Sequence, residues 1–375
     1  MGTGTLSRLQ VWDFRNLRRL DMAFVKGVTV LIGSNGQGKS NVLEAIFYLA
    51  GLRSFRTQGV AELRHWAAEA FTLRGEIGAS DPRERLTVAV SQGAKRYLQL
   101  NGMAVERASD FINRFLCIPL VPEDMEMVKG AASVRRRFLD STISQRWGPY
   151  LGELQRYREA VNSRNLALRS PQQYPASVLK AYEEVIVRHG ARVEWLRREH
   201  VADLGETLRE LSVRLLGGQR RVLAVSYACP GITKDSPVDS EDVLEAVLAE
   251  ALWRNSERDR REGHTSVGPH RADLAITLNG RALGTCGSEG ECRMACLALR
   301  LASLDRARQE ASTTRAVVAL VDDVIGELDS PRRGAFLEAV QQADQVIVTA
   351  TATPLELVGR AAATYCVQEG VVSVV

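Results

Sequence analysis

Short apolar runs separated by polar turns dominate the first 121 residues. LSRLQVW, VTVLIG, FTLRGEI, LTVAVS and RYLQL read as strands, with turns such as SDPRE and NG between them. One helix interrupts this pattern. It starts at the glycine-rich GSNGQGKS and continues through NVLEAIFYLAGL, where Val42, Leu43, Ile46, Phe47 and Leu49 form an inward stripe. From Ser133 to about Leu216 the period becomes helical and arginines multiply. Tyr182, Ile186, Val193, Leu196, Leu204, Leu208, Leu211 and Leu215 recur mostly at threes, fours and their sums, which predicts one helix or two collinear ones. At 1.5 Å per residue, about 35 residues span roughly 50 Å, a length that projects from a domain rather than filling it.

Residues 217 to 240 read as a strand and a loop, with Asp239 or Ser240 placed to cap a helix starting at Glu241. After GHTSVGPHRADL the pattern predicts a hairpin (LAITLNGRAL), a helix from about Gly290 to Gln309, and the buried strand VVALV. The end reads as helix, strand, helix and a YCVQEGVVSVV hairpin. No internal repeat or low-complexity stretch is present. The expected organisation is an α/β head in two parts, 1–121 and 241–375, separated by a helical insertion over 122–240.

Composition narrows the function classes. The 375 residues are 45% hydrophobic and 25% charged, an ordinary globular balance. No apolar stretch approaches the roughly 20 residues of a membrane span, and MGTGTLSRLQVWDF lacks a basic region followed by an apolar core, so a cytoplasmic protein is expected. Six cysteines (117, 229, 286, 292, 296, 366) form no C-x-x-C pair, although Cys292 and Cys296 share a helix face. Free thiols in a reducing compartment are expected rather than disulfides or zinc ligands. The net charge is +4, but Lys129 to Arg214 holds 16 Lys/Arg against 10 Asp/Glu, a net +6 that leaves −2 for the rest. A polyanion surface is therefore sought in the middle of the chain.

The sharpest chemistry lies in GSNGQGKS, where Gly33, Ser34, Asn35, Gly36, Gln37, Gly38, Lys39 and Ser40 fit G-x-x-x-x-G-K-[ST] between a strand and a helix. Glycines let backbone N–H groups curl around phosphates, Lys39 reaches the β/γ oxygens, and Ser40 can ligate Mg²⁺. About 280 residues later the run AVVALV ends in Asp322 and Asp323. Taken alone, two aspartates at a strand end also suit a solvated turn. Beside a phosphate loop, Asp322 is placed to hold the Mg²⁺ shell and Asp323 to polarise an attacking water.

A single phosphate loop so far from its carboxylates, with Gly-Glu-Leu-Asp at 326 to 329 directly after them, resembles the ABC/SMC class of ATPases. The order and spacing of further motifs, over nearly the whole chain, resemble the RecF family of bacterial recombination-mediator ATPases. Those motifs are DFRNL (13 to 17), LEAI (43 to 46), SFRT (54 to 57), PED (122 to 124), VKG (128 to 130), RRRFLD (135 to 140), Arg164-Asn165, GPHRADL (268 to 274) and DDVIGELD (322 to 329). The resemblance implies an ABC/SMC-type head, a mixed sheet with an antiparallel β subdomain, carrying an inserted helical arm.

It also implies an ATP-dependent homodimer in which the phosphate loop of one subunit faces a Ser-x-Gly signature of the other. Ser288 and Gly290 take the signature positions, Asp329 the dimer-facing loop, and Glu123 the place of the Q-loop group. The family binds DNA near single-strand/double-strand junctions at gaps and helps load RecA with RecO and RecR, with slow ATP turnover controlling dimerisation and release. Two features differ from the general pattern. The family usually shows Ser-Gln-Gly-Gln where this chain has Ser288-Glu289-Gly290-Glu291, and Glu289 and Glu291 would repel a triphosphate unless turned away or paired with an arginine. Thr349-Ala350-Thr351 lacks the ABC switch histidine, as the family does.

Arg135, Arg136 and Arg137 are the DNA-contact candidates, set beside a Phe138-Leu139 anchor, although three consecutive helical residues fan over about 200° and cannot all face one ligand. A solvated charge run paired with Asp140 or Glu153 is the alternative. Along the long helix, Lys180, Arg188, Arg192, Arg197 and Arg198 interleave with Glu183, Glu184, Glu194 and Glu199, as expected for i,i+4 pairs on an exposed face. His270 is expected to pack in a turn without a chemical role. By the resemblance Arg271 belongs near the nucleotide of the dimer, while Arg15 and Asn16 could flank adenine or phosphates.

Other function classes fit less well. An ATPase driving a membrane or protein partner predicts no basic arm, and an SMC-like DNA bridge needs heptads over many tens of residues. A nuclease needs its own carboxylate cluster and spare sequence, and neither is present.

Overall fold

The structure is a computed structural model describing residues 4–78, 83–112, 114–216, 221–233, 239–310 and 315–375. Residues 80–82 of the SDPRE turn, the start of the chain, and the GGQR and KDSPV stretches lie outside the described residues. The strands are β1 (Leu6–Phe14), β2 (Leu17–Ala23), β3 (Gly27–Ile32), β4 (Phe71–Ile77), β5 (Glu84–Val90), β6 (Arg96–Leu100), β7 (Met103–Val105), β8 (Leu116–Leu120), β9 (Leu223–Ala228), β10 (Asp273–Leu278), β11 (Arg281–Ala282), β12 (Val317–Asp322), β13 (Gln345–Ala350), β14 (Ala363–Gln368) and β15 (Val371–Val374). The helices are α1 (Lys39–Gly51), α2 (Ala108–Phe111), α3 (Glu126–Lys129), α4 (Ala132–Arg146), α5 (Pro149–Arg169), α6 (Ala176–Leu215), α7 (Glu241–Arg254), α8 (Ser256–Glu262), α9 (Leu283–Cys286), α10 (Glu289–Glu310) and α11 (Ser330–Val340). None is long and apolar enough to cross a membrane among the described residues.

The chain divides into two compact units: residues 1–125, 210–221 and 293–375 form the first, and residues 126–209 and 222–292 the second. Residues 241–292 thus pack with the helical insertion, whereas the sequence segmentation groups them with the C-terminal part of the head. The physical reason is pairing. Strand β10 is antiparallel to β9 from Asp273↔Ala228 to Leu278↔Leu223, which carries this segment into the second unit's small sheet.

The first unit holds two six-stranded sheets. One is antiparallel, in the order β2-β1-β4-β5-β6-β7; the other runs β15-β14-β3-β13-β12-β8 and is parallel except for β15. Strands β8, β12 and β13 are buried at every position, as expected for parallel strands covered on both faces. Helix α1 packs against strands of both sheets. The predicted stripe is therefore only part of what it buries: Ala45, Tyr48 and Ala50 are covered too, and even Glu44 is fully enclosed. Asn101 (φ 51) and Gly102 (φ 84) make the left-handed pair of a tight turn between β6 and β7, as the Asn-Gly sequence predicts. Only one 3₁₀ turn, Leu355–Leu357, stands where a last helix was expected, since Pro354 precedes it and Gly359 at φ 72 follows.

In the second unit α6 is one unbroken helix of 40 residues. Its first 34 residues belong to this unit, and Ile186, Val193, Leu204 and Leu208 are fully buried, so it forms a wall rather than a bare projection. The exposed-face expectation for its arginines fails at Arg197, which is 1% exposed. Arg197 donates to Asp140 at 2.7 Å, to the Tyr150 hydroxyl at 3.0 Å and to the Pro269 carbonyl at 2.7 Å. Burial alone would raise the Asp140 pKa; Arg197, Arg158 and the Tyr150 hydroxyl outweigh it and hold its carboxyl below the ordinary range. Arg192 pairs instead with Glu241 on α7, and among these arginines Arg198 forms the expected i,i+4 pair, with a Glu194 that is itself buried. A second buried arginine, Arg164, pairs with Asp259 at 2.8 Å and Glu183 at 2.9 Å, while Asn165 accepts from Thr265. Two buried charge networks thus lock α4, α5, α6 and α8 to the GPHRADL turn. Severing either partner would leave an unpaired buried ion, a cost of about 3–5 kcal/mol.

Candidate nucleotide site

Strand β3 delivers the chain into the loop Gly33–Gly38 with three glycines at positive φ: 151 at Gly33, 81 at Gly36 and 111 at Gly38. At Gly33 a Cβ would sit 2.3 Å from the Val367 carbonyl oxygen, and at Gly38 it would strike the Asn16 amide at 2.7 Å. These positions therefore require glycine for space as well as conformation. Gly38 caps α1 without a side-chain acceptor, so first-turn N–H groups remain available to an anion. Lys39 is 6% exposed and folds back, donating to the carbonyls of Gly33 (2.6 Å) and Ser34 (2.9 Å). The ammonium is held over the loop by weak neutral acceptors that phosphate oxygens would outcompete.

The carboxylates arrive through the parallel sheet. Asp322 at the end of β12 pairs with Thr349 on β13, which pairs with Leu31 on β3. The Ser40 hydroxyl donates to Asp322 Oδ1 at 2.9 Å, joining residues 282 apart in sequence. The Thr349 hydroxyl donates to the same oxygen at 2.6 Å and accepts from the Asp323 N–H at 3.0 Å. Asp323 takes φ 52 and is exposed, so its carboxylate leaves the strand line for solvent. Sequence reasoning treated Thr349 only as the place where a histidine is lacking. Its role as the residue orienting both aspartates is visible only in the register.

Glu123 sits beside this pair. Burial raises its pKa, a backbone hydrogen bond and Arg56 oppose the shift, and the charges of Asp322 and Asp124 add to it. Its Oε1 pairs with Arg56 Nε at 3.2 Å, while Oε2 is buried without a hydrogen-bond partner. Arg56 also donates to Asn41 on α1 at 2.9 Å, and sequence reasoning noted it only as part of SFRT. Arg15 is not free to flank a nucleotide. Its guanidinium is bidentate on the buried Glu44 at 2.9 Å and donates to the Glu62 carbonyl at 2.8 Å. Asn16 does reach the loop, donating to the Gln37 carbonyl at 3.2 Å and accepting from Asn41 at 2.7 Å, so it braces the loop backbone.

Asp329 caps α11, accepting from the Arg332 N–H at 3.0 Å. In the second unit Ser288 and Glu291 form a reciprocal capping box: the Ser288 N–H and hydroxyl donate to Glu291 Oε2 at 3.0 and 2.9 Å, and the Glu291 N–H donates back at 3.3 Å. Glu291 thus turns onto Ser288 rather than away. Glu289 and Gly290 are exposed, and nothing lies within 4 Å of where a Gly290 Cβ would be.

The arginine triplet separates by role. Arg135 forms a bidentate pair with Asp273 at 2.7 and 2.9 Å and donates to the Gly130 carbonyl, and Arg136 donates to the Ala272 carbonyl at 2.7 Å. Both are engaged with the protein itself; Arg137 is exposed. Arg271 is exposed and donates to the Thr265 carbonyl at 3.3 Å. All six cysteines are free thiols, with Cys292 and Cys296 buried against backbone carbonyls.

The donor chemistry suits the groups the motif calls for. The amide cradle and Lys39 match a triphosphate, and the hard oxygens of Ser40 and Asp322 match Mg²⁺, which keeps several of its own waters. Among the described residues no three His, Cys, Asp or Glu side chains converge as a self-sufficient metal cluster.

The chain is similar to known proteins over nearly its whole length. The model for the RecF/RecN/SMC N terminal domain matches residues 5–372. A DNA replication and repair protein RecF from Anaeromyxobacter dehalogenans is 36% identical over 376 residues, covering 98% of each chain. The solved structure of the recombination mediator protein RecF with ATP, of the RecFOR pathway, aligns at TM-score 0.90 and 27% identity, covering 100% of this chain and 98% of that one. The Smc head domain derived from Pyrococcus furiosus aligns at TM-score 0.55 and 14% identity, covering 100% and 96%, a likeness of fold alone.

His270 fulfils its packing role and yields a pH prediction. Its Nδ1 accepts from the Tyr157 hydroxyl at 2.7 Å and its Nε2–H donates to the Thr265 carbonyl at 2.9 Å, and burial pushes its pKa down from 6.5 to about 4. The folded state holds this ring neutral, so its contribution is complete above pH 6.5 and declines as pH falls toward 4. The unfolding free energy of the wild type relative to His270→Gln should shrink by on the order of 2 kcal/mol across that window. A pH-independent difference in urea melts would contradict this.

Proposed function

The chain belongs to the RecF/RecN/SMC N-terminal domain family, in its RecF branch, and on that premise we propose that it is an ATP-gated DNA-binding protein of recombinational repair and replication-fork maintenance. The observation that carries the proposal is the Ser40–Asp322 hydrogen bond at 2.9 Å, which joins the two distant halves of one nucleotide site. The first-turn amides of α1 would seat ATP, and Lys39 would exchange the Gly33 and Ser34 carbonyls for phosphate oxygens. Mg²⁺, held by Ser40 and Asp322, would neutralise charge on the β and γ oxygens. Asp323, turned outward by its backbone, is positioned to accept a proton from an attacking water, and Glu123 stands where the Q-loop group acts.

Two copies assemble head to head, each offering Ser288 and Gly290 to the nucleotide of the other, with Asp329 in the facing loop. The dimer binds DNA at single-strand/double-strand junctions of gaps and, with RecO and RecR in the cytoplasm, promotes RecA loading. Slow ATP hydrolysis governs release. Arg137 is the member of the arginine triplet that meets a DNA phosphate; this reading is supported by its exposure and by the internal hydrogen bonds of Arg135 and Arg136.

Sedimentation and gapped-DNA binding test the proposal. Lys39→Ala should lose ATP binding and ATP-dependent dimerisation, whereas Asp323→Asn should bind ATP, turn it over more slowly and stay dimeric on DNA. DNA binding indifferent to nucleotide in the wild type and both variants would refute the clamp. The signature yields a second expectation. Glutamine can preserve the capping box while removing charge, so Glu289→Gln/Glu291→Gln should tighten the ATP-dependent dimer. A dimer constant that does not tighten would remove these glutamates from the account.

A further inference from the structure

The antiparallel sheet has one apolar face and one face of a different kind. Along its buried side Leu20, Val11, Leu73, Val88 and Leu98 pair in register across β2, β1, β4, β5 and β6. One residue along each strand, the opposite face carries Arg19↔Trp12↔Thr72↔Ala89↔Tyr97 in a single transverse row. The pleat puts these side chains on the side away from the core.

Two aromatic rings bracket this row. Trp12 and Tyr97 are three strand spacings apart, about 14 Å, and the small side chains of Thr72 and Ala89 lie between them. Each ring has a cation beside it: the Arg74 guanidinium carbon is 5.3 Å from the Trp12 ring centre, and Lys95 Nζ is 5.2 Å from that of Tyr97. Arg74 Nε is buried without a hydrogen-bond partner, Trp12 is half-buried, and Tyr97 is 50% exposed.

The carboxylates of this face, Asp21 and Glu76, are taken by Arg8 and by Arg83 and Arg85, with Asp21 in the same transverse row as Arg74. Arg19, Arg74 and Lys95 have no carboxylate partner within ion-pair distance among the described residues. A row of cations and aromatic rings over small residues, exposed at Arg19 and Tyr97, suits a flexible polyanion with flat, stackable groups. A rigid duplex could use the cations but not the ring faces, since its bases are already stacked.

We propose that the outer face of this sheet, at the Trp12–Tyr97 row, binds single-stranded DNA by base stacking and phosphate pairing. The inference rests on the DNA-binding reading above only for the identity of the polymer. It assigns the single strand a surface within one subunit that needs neither ATP nor a second copy.

Fluorescence anisotropy of a labelled oligo-dT about 12 nucleotides long, within the usual range of single-strand site sizes, tests it on the full chain without nucleotide. Tyr97→Ala should weaken binding about tenfold, Lys95→Ala with Tyr97→Ala further, and Tyr97→Phe should retain affinity. Trp253→Ala, an exposed tryptophan on α7, should bind as the wild type does, and unchanged melting midpoints confirm folding. Failure of the ATP clamp would show only as loss of nucleotide dependence and leave these values intact. Unaltered affinity in Tyr97→Ala, or a loss of affinity for a duplex of equal length as large as the loss for oligo-dT, would each overturn the proposal.

Discussion

The parallel register of β3, β13 and β12 is the constraint on which the nucleotide site depends. Backbone pairing aligns Leu31, Thr349 and Asp322 across three adjacent strands, and Ser40, carried on α1 by the loop that follows β3, comes within 2.9 Å of a carboxylate 282 residues away. A parallel ladder cannot be closed by a tight turn, so a long connection between its strands is a requirement of topology. The second unit lies within that connection. Thr349 completes the arrangement, since one hydroxyl fixes an Asp322 oxygen and the Asp323 amide together.

The second unit is organised by a different principle. Buried arginines, rather than apolar layers alone, hold its helices in place. Arg197 gathers Asp140, Tyr150 and the Pro269 carbonyl, while Arg164 gathers Asp259, Glu183 and Thr265. Pairs of this kind seldom exceed a well-packed apolar core in net stability, yet either half left alone is costly, which penalises any packing that separates the partners. Much of the arginine excess in this region is therefore internal wiring. Arg135 follows the same rule, since its fork matches the Asp273 carboxylate bidentately.

Motifs whose meaning is local were readable in the chain. The glycine spacing of the phosphate loop, the Asn-Gly turns, the Ser240 cap of α7 and the long α6 all follow from short-range sterics and periodicity. Features created by distant partners were not. Arg197 reads as a solvated helix residue until Asp140 is seen beneath it, and Thr349 reads as a missing histidine until the register sets it against Asp322. The Ser288–Glu291 capping box is legible as S-x-x-E three residues apart, a local pattern independent of any charge near a phosphate.

In the proposed function Ser40 and Asp322 act as one unit in holding Mg²⁺-ATP. A double-mutant cycle of Ser40→Ala and Asp322→Asn, read as Mg²⁺-dependent ATP affinity by titration calorimetry, measures this directly. We expect strong non-additivity, a coupling of about 1–3 kcal/mol, because either change alone already opens the shared site. Additive losses, or Mg²⁺-dependent affinity unchanged in Asp322→Asn, would contradict it.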